Sequence, residues 1–200
     1  LWNPDINVDS LASQFIKLYY QDAAPFIEKY YQGINRDIKE HASTEFLNIY
    51  GFPSDYMDSY LSPDRMVYYL SIMDSAERAV SSDSLLLNRI KRARMPVDFA
   101  YVDIAINHHL DEMPSIIDGP EGKEINPLII QLLDRMVAYT EIDPSIKINE
   151  RNFKLSDYRA FVLNKLEWQM LTNKLKNAQI KIKTKYSDIY PVGGEKALND

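Results

Sequence analysis

At 200 residues, 46% apolar and 26% charged, the chain is long enough to bury one core and too apolar to remain disordered. Its net charge of -6 and pI near 5.1 argue against nonspecific nucleic-acid binding, which relies on clustered Lys and Arg to neutralise phosphates. The absence of cysteine excludes disulfides and thiolate metal sites, and no apolar run approaches the roughly 18 residues of a membrane span.

The pattern is helical from the start. Val8, Leu11, Phe15, Leu18 and Tyr19 fall at helical spacing behind Asn7 or Asp9 as a cap, which predicts a first helix of about three turns. After "QDAAP", the residues Ile27, Tyr30, Tyr31, Ile34 and Ile38 mark a second helix, with Asp22 as its cap and Pro25 tolerated in its first turn. Residues 43–61 mix aromatics with Gly51 and Pro53 and read as a short helical piece followed by an ordered loop. Ser62 and Pro63 then open a helix whose stripe is Met66, Tyr69, Leu70, Met73, Ala76 and Val80.

"SSDS" at residues 81–84 ends that helix and caps the next, in which Leu86, Ile90, Ala93, Val97, Ala100, Tyr101, Ile104 and His108 hold one face. Pro96 falls inside it. The missing N–H and the clash with the Arg92 carbonyl cost about 3 kcal/mol unless packing offsets them, but the stripe continues in phase, which favours one kinked helix over two. Residues 113–126, "MPSIIDGPEGKEIN", read as a connecting loop. Asn126 and Pro127 repeat the cap-plus-Pro start, with Ile129, Leu132, Leu133, Met136 and Tyr139 behind them, and Asp143-Pro144 stops that helix. The last helix begins near Ser156 and runs to about Gln179, with Val162, Leu166, Trp168, Leu171 and Leu175 toward the core. At Ile180 the period changes to two: "IKIKTKY" alternates apolar or small residues with lysine, as a half-buried strand does.

Three groupings carry candidate chemistry. His108 and Glu112, four apart on one helix face and beside His109, form the best metal-like set, yet they provide too few ligands to close a site, and His108, in phase with the apolar stripe, reads first as a hydrogen-bonded histidine at the edge of the core. Arg89, Lys91, Arg92 and Arg94 beside Asp98 and Asp103 match a carboxylated sugar, because guanidinium forks pair with carboxylates bidentately; they match ion pairs with acidic neighbours as well. Around the Pro96 kink, the binding candidates are Arg92, Arg94, Asp98 and Tyr101. The base-rich stretch 151–186 fits a solvated helix face and lysine-flanked strand, or an anionic partner. Tyrosine, at 14 residues against 7 Phe and 2 Trp, suits half-buried helix contacts and sugar-facing or partner-facing surfaces alike. No phosphate-cradling loop, nucleophile elbow or marked carboxylate pair is present, so no catalytic residue and no cofactor are assigned.

The opening stretch "LWNPDINVDSLASQFIKLYYQDAAPFIEKY" resembles a segment of large bacterial glycosidase-like proteins of unknown function, a family similar to the alpha-glucuronidases and other barrel glycoside hydrolases. Trp2, Pro4, Asp5, Asp9, Phe15, Tyr19, Tyr20, Ala23, Ala24 and Pro25 carry the match, and Gln21 departs where that family has Gly. "LLLNRIKRARMPVDFAYV" is similar to the family's long helix through Arg89, Arg92, Arg94, Pro96, Asp98 and Tyr101. The tail, "KYSDIYPVGGEKALND", resembles the opening of a discoidin-like β-sandwich module.

The resemblance implies a helical accessory domain over residues 1–179, packed beside a TIM-like barrel that carries the catalytic acids, and a linker plus first strand of a following module over residues 180–200. It implies a carbohydrate-processing parent that is periplasmic or extracellular, with neighbouring domains and a glycan as partners. The N-terminus, without an initiator Met or a signal-like apolar segment, reads as the interior of that longer chain. The fold expected is all-α, with about six helices in an irregular antiparallel bundle and an extended C-terminal tail. The rival reading is a glycan- or protein-binding helical module that uses the tyrosines and the arginines near Pro96.

Overall fold

The computed structural model describes residues 7–42, 48, 51–147 and 153–175; the alternating segment 180–186 and the tail 187–200 lie outside the described residues. What is described is mainly helical, in the order α1 (Val8–Tyr20), a 3-10 turn (Gln21–Ala23), α2 (Ala24–Ala42), a second 3-10 turn (Pro53–Tyr56), α3 (Pro63–Ala79), α4 (Ser84–Asn107), β1 (Ile116–Gly119), β2 (Gly122–Ile125), α5 (Pro127–Ile142) and α6 (Leu155–Leu175). Each helix from α1 to α5 packs against its successor in the chain, α5 packs on α6, and α4 also meets α1 and the second 3-10 turn. Among the described residues no helix is long and apolar enough to cross a membrane.

Local chemistry sets most helix starts. Asn7 caps α1 by accepting the Ser10 N–H at 2.9 Å, Asp83 caps α4 by accepting from Leu85 and Leu86, and Asn126 caps α5 by accepting from Leu128, where Pro127 occupies the first turn. Ser62 stands at the start of α3, but its hydroxyl makes no capping bond; its carbonyl takes the Met66 N–H instead. Asp22 does not cap α2 either, because the Gln21–Ala23 turn runs straight into that helix and encloses it.

The core is built around α4. From Ala100 to Ile106 every residue of this helix is buried, so it is enclosed on all sides by α3, α5 and the Pro53–Tyr56 turn. The helix runs unbroken through Pro96, as its in-phase stripe predicts. The α3 stripe is buried as read from the sequence, and Tyr69 reaches back from it to donate a hydrogen bond to the buried Asp37 of α2, where Arg65 also pairs with that carboxylate at 3.2 Å. Gly33 makes this approach possible: a Cβ there would stand 3.3 Å from the Tyr69 ring.

The outer helices depart from the expected faces. On α1 most of the apolar stripe is solvent-facing, with Val8 67%, Leu11 50%, Phe15 56% and Leu18 80% exposed and Tyr19 partly buried, while Ile16, outside the stripe, is buried. Periodicity reports that a face is apolar without saying which face a neighbour covers, and here α2 and α4 cover the Ile16 side. On α6, Val162 and Leu166 are buried as expected, but Trp168 is 70% and Leu171 49% exposed. Residues 113–126 also hold more than a loop: β1 and β2 pair antiparallel from Ile116 with Ile125 to Gly119 with Gly122. A connection of Pro120 and Glu121 closes the hairpin, and Gly122 accepts a φ of 125° that a side chain would resist. Ile116 and Ile125 rest on the core and β2 packs on α6, which stabilises strands too short to announce themselves by alternation.

Gln21 is the one non-Gly residue among those described with a positive φ, at φ 46° and ψ -114°. Its N–H closes α1 onto the Lys17 carbonyl, so the conformation is fixed by the α1–α2 junction. Relief of this strain should outweigh the extra chain entropy of glycine, and Gln21→Gly is expected to stabilise the fold by about 1 kcal/mol, read as a higher urea midpoint at unchanged slope.

Candidate functional site

Arg92, Arg94, Asp98 and Tyr101 all belong to α4, but helical geometry divides them. Residues two apart on a helix point about 200° from one another, so Arg92 and Arg94 serve opposite sides. The structure therefore does not bring the four together as one surface. Arg94 and Asp98 are buried in an ionic cluster, Tyr101 is buried in the core, and the Arg92 side chain remains 63% exposed, 3.7 Å from Asp143.

The cluster is assembled from three helices. Arg94, 1% exposed, donates from Nε to both Asp98 oxygens at 3.2 and 3.3 Å and from Nη2 to Asp74 Oδ1 at 2.9 Å. Its Nη1 lies 2.6 Å from Glu77 Oε2, a charge contact without hydrogen-bond geometry. Asp74 and Glu77 are three apart on α3 and so share the face turned to α4, while Asp98 stands one turn beyond Arg94. From α5, Arg135 brings its Nη1 to 3.6 Å from Asp98. A cleft of about 240 Å³ opens beside the cluster, lined by Asp74, Glu77, Arg94 and Arg135.

Burial dominates the electrostatics of Asp98. With no surface exposed to water, its carboxyl is pushed up to about 7, with Glu77 and Asp74 adding to the rise and the Arg94 guanidinium opposing it. Such a group can hold a proton near neutrality, but it is 0% exposed and is enclosed by arginine and carboxylate partners. The arrangement therefore clamps α3, α4 and α5 together.

The histidine grouping dissolves for a different reason. Helix α4 stops at Asn107, so His108 and Glu112 do not share a helical turn, and His108 Nε2 sits 3.0 Å from the Ser54 carbonyl. Among the described residues no three His, Asp or Glu side chains are placed to hold a metal ion. His108 belongs instead to a polar chain in which the Ser54 N–H donates to Asp103 at 2.9 Å, Asn107 donates to Asp103 at 3.1 Å, and Lys165 of α6 donates to Asn107 at 2.6 Å. These partners are up to 58 residues apart, and no local pattern marks them.

On the Arg92 side, α4 faces a second cavity, of about 320 Å³, between α4, Met136 of α5 and the first residue of α6. Arg92, Met95, Pro96 and Phe99 form its α4 wall, and Ile146 and Lys147 close it from the connection that follows α5. Compared with known proteins, the chain matches no family model, no curated protein and no solved structure.

Proposed function

We propose that the chain is a non-catalytic helical accessory domain of a larger glycosidase-like, carbohydrate-processing protein, periplasmic or extracellular, which packs beside a TIM-like barrel. Its helices would form the irregular antiparallel bundle expected from the sequence. The observation that carries the reading is the solvent-facing stripe of α1. Val8, Leu11, Phe15 and Leu18 recur at spacings of three and four and are all at least half exposed. Four large apolar side chains aligned on one helix form the kind of contiguous patch that marks an interface. The face lies in the segment that carries the family resemblance, and the barrel is the neighbour which that resemblance supplies. A second exposed apolar set on α6, Phe161 with Trp168 and Leu171, precedes the residues that resemble a β-sandwich module and is assigned to that junction.

The test separates docking from folding. Leu11→Ser with Leu18→Ser removes exposed side chains only, so the unfolding free energy of the isolated chain is expected to stay within the range of surface substitutions, about 0.5 kcal/mol each. The same pair of changes should abolish co-purification with the barrel region of the parent protein expressed separately. Retained co-purification, or a parent gene with no barrel on either side of this segment, would remove the reading.

A further inference from the structure

The cavity beside Pro96 has the makings of a small-molecule site whose ligand differs from the carboxylated sugar expected from the arginine spacing. Its α4 wall is one helical face, since Arg92, Met95, Pro96 and Phe99 follow one another at spacings of three, one and three. Opposite stand Met136 and Leu155, both buried, with Ile146 at the edge. At about 320 Å³ it falls within the range of ligand pockets, and its walls follow their usual composition: apolar side chains with a few polar groups at one end. Two methionines give those walls adaptable, polarisable contacts.

The polar groups are cationic. Arg92 and Lys147, both exposed, stand at the mouth, and Asp143, beside Arg92, has its Oδ1 engaged by the Ser145 N–H and hydroxyl. At 3.7 Å, Asp143 sits beyond hydrogen-bonding range of Arg92, so the guanidinium keeps its donors for another acceptor. Among the described residues, one negative charge against two positive ones leaves the mouth net positive. Leu155 is the first residue of α6, so the positive end of that helix adjoins the cavity as well. Sugar hydroxyls would find few partners on walls of Met, Phe, Pro and Leu, and burying them unbonded is costly.

We propose that this cavity binds a small carboxylate with an apolar body, an aryl- or alkyl-alkanoate, its hydrophobic part against Met95, Phe99, Met136 and Leu155 and its carboxylate at Arg92 and Lys147. This does not depend on the docking role of α1.

The probe is 3-phenylpropanoate, titrated into the folded chain by ligand-observed NMR. Saturable binding with a Kd of about 1 mM or tighter is expected. The neutral 3-phenylpropanamide, which keeps the shape, and glucuronate, which keeps the charge, should each bind about fivefold more weakly or worse. Arg92→Gln and Lys147→Gln, both at exposed positions, should each weaken the acid by about threefold, and Ile146→Trp, which fills the cavity from its edge, should abolish binding. Equal affinity for acid and amide, unchanged binding in the two glutamine variants, or no saturation by about 10 mM in the unaltered chain would each overturn the proposal. A melting curve on Ile146→Trp confirms that it folds; if it does not, the glutamine variants decide alone.

Discussion

Arg94→Leu is expected to destabilise the fold by about 3–5 kcal/mol, the largest effect of any single substitution in the cluster. Arg94 is 1% exposed and spans Asp74, Glu77 and Asp98, so its removal leaves Asp98, with no exposed surface, beside only an Arg135 nitrogen at 3.6 Å. That distance is outside hydrogen-bonding range, and a buried carboxyl without a hydrogen-bond partner is costly whether it stays ionised or takes up a proton. The loss is a large part of the roughly 5–15 kcal/mol that holds an ordinary domain together. Arg94→Lys keeps the charge but cannot reproduce a planar fork reaching three carboxylates, and should fall between the two proteins. The double variant Arg94→Leu with Asp98→Leu should recover most of the loss, because it removes the orphaned carboxyl together with its partner. Urea unfolding of the unaltered chain, Arg94→Leu, Asp98→Leu and the double variant, treated as a double-mutant cycle, measures the coupling. A single-variant cost below about 1 kcal/mol would show that the cluster does not hold α3, α4 and α5 together.

The contrast between Arg94 and the helix caps shows what the chain discloses locally. Asn7, Asp83 and Asn126 could be read as caps because the donors they satisfy lie two or three residues away. The stripe of α3 was legible for the same reason, since periodicity is a property of one helix. Arg94 is also part of a legible pattern, but the pattern groups it with Arg92, and only the positions of α3 and α5 decide that one arginine is interior and the other stands at a cavity. The apolar stripe of α1 was legible, but its environment was not: Ile16 is buried and Phe15 is 56% exposed. Trp168 and Leu171 on α6 repeat that lesson. The β1–β2 hairpin escaped because four-residue strands carry too few alternations, and their pairing depends on Ile116 and Ile125 reaching a core formed by distant helices. Of the candidate binding residues, Arg92 was found at an accessible site, whereas Arg94, Asp98 and Tyr101 act in the interior.

The proton on Asp98 predicts an unusual pH dependence. Carboxylates that gain partners on folding usually have lowered pKa values and lose stability in acid, but burial outweighs pairing here and raises Asp98 from its ordinary 3.8 to about 7. Between those two values the folded chain binds more protons at this position than the unfolded chain does, so stability falls as pH rises from about 4 to about 7 and levels off above. The slope from one such group reaches at most about 1.4 kcal/mol per pH unit. Arg94, Arg135, Asp74 and Glu77 are the charged groups that face Asp98, and the slope reports their balance against desolvation. Asp143, whose carboxyl is lowered by its bonds to Ser145, titrates below this window and does not contribute to it. Asp98→Asn, which keeps an acceptor for Arg94 and cannot ionise, should abolish the dependence. Denaturant unfolding at intervals from pH 5 to pH 8, taken as the difference between the two proteins, cancels the other titrating groups. A difference that is flat, or that rises with pH, would mean that Arg94 and Arg135 hold Asp98 ionised throughout, so that pairing and not burial governs the cluster.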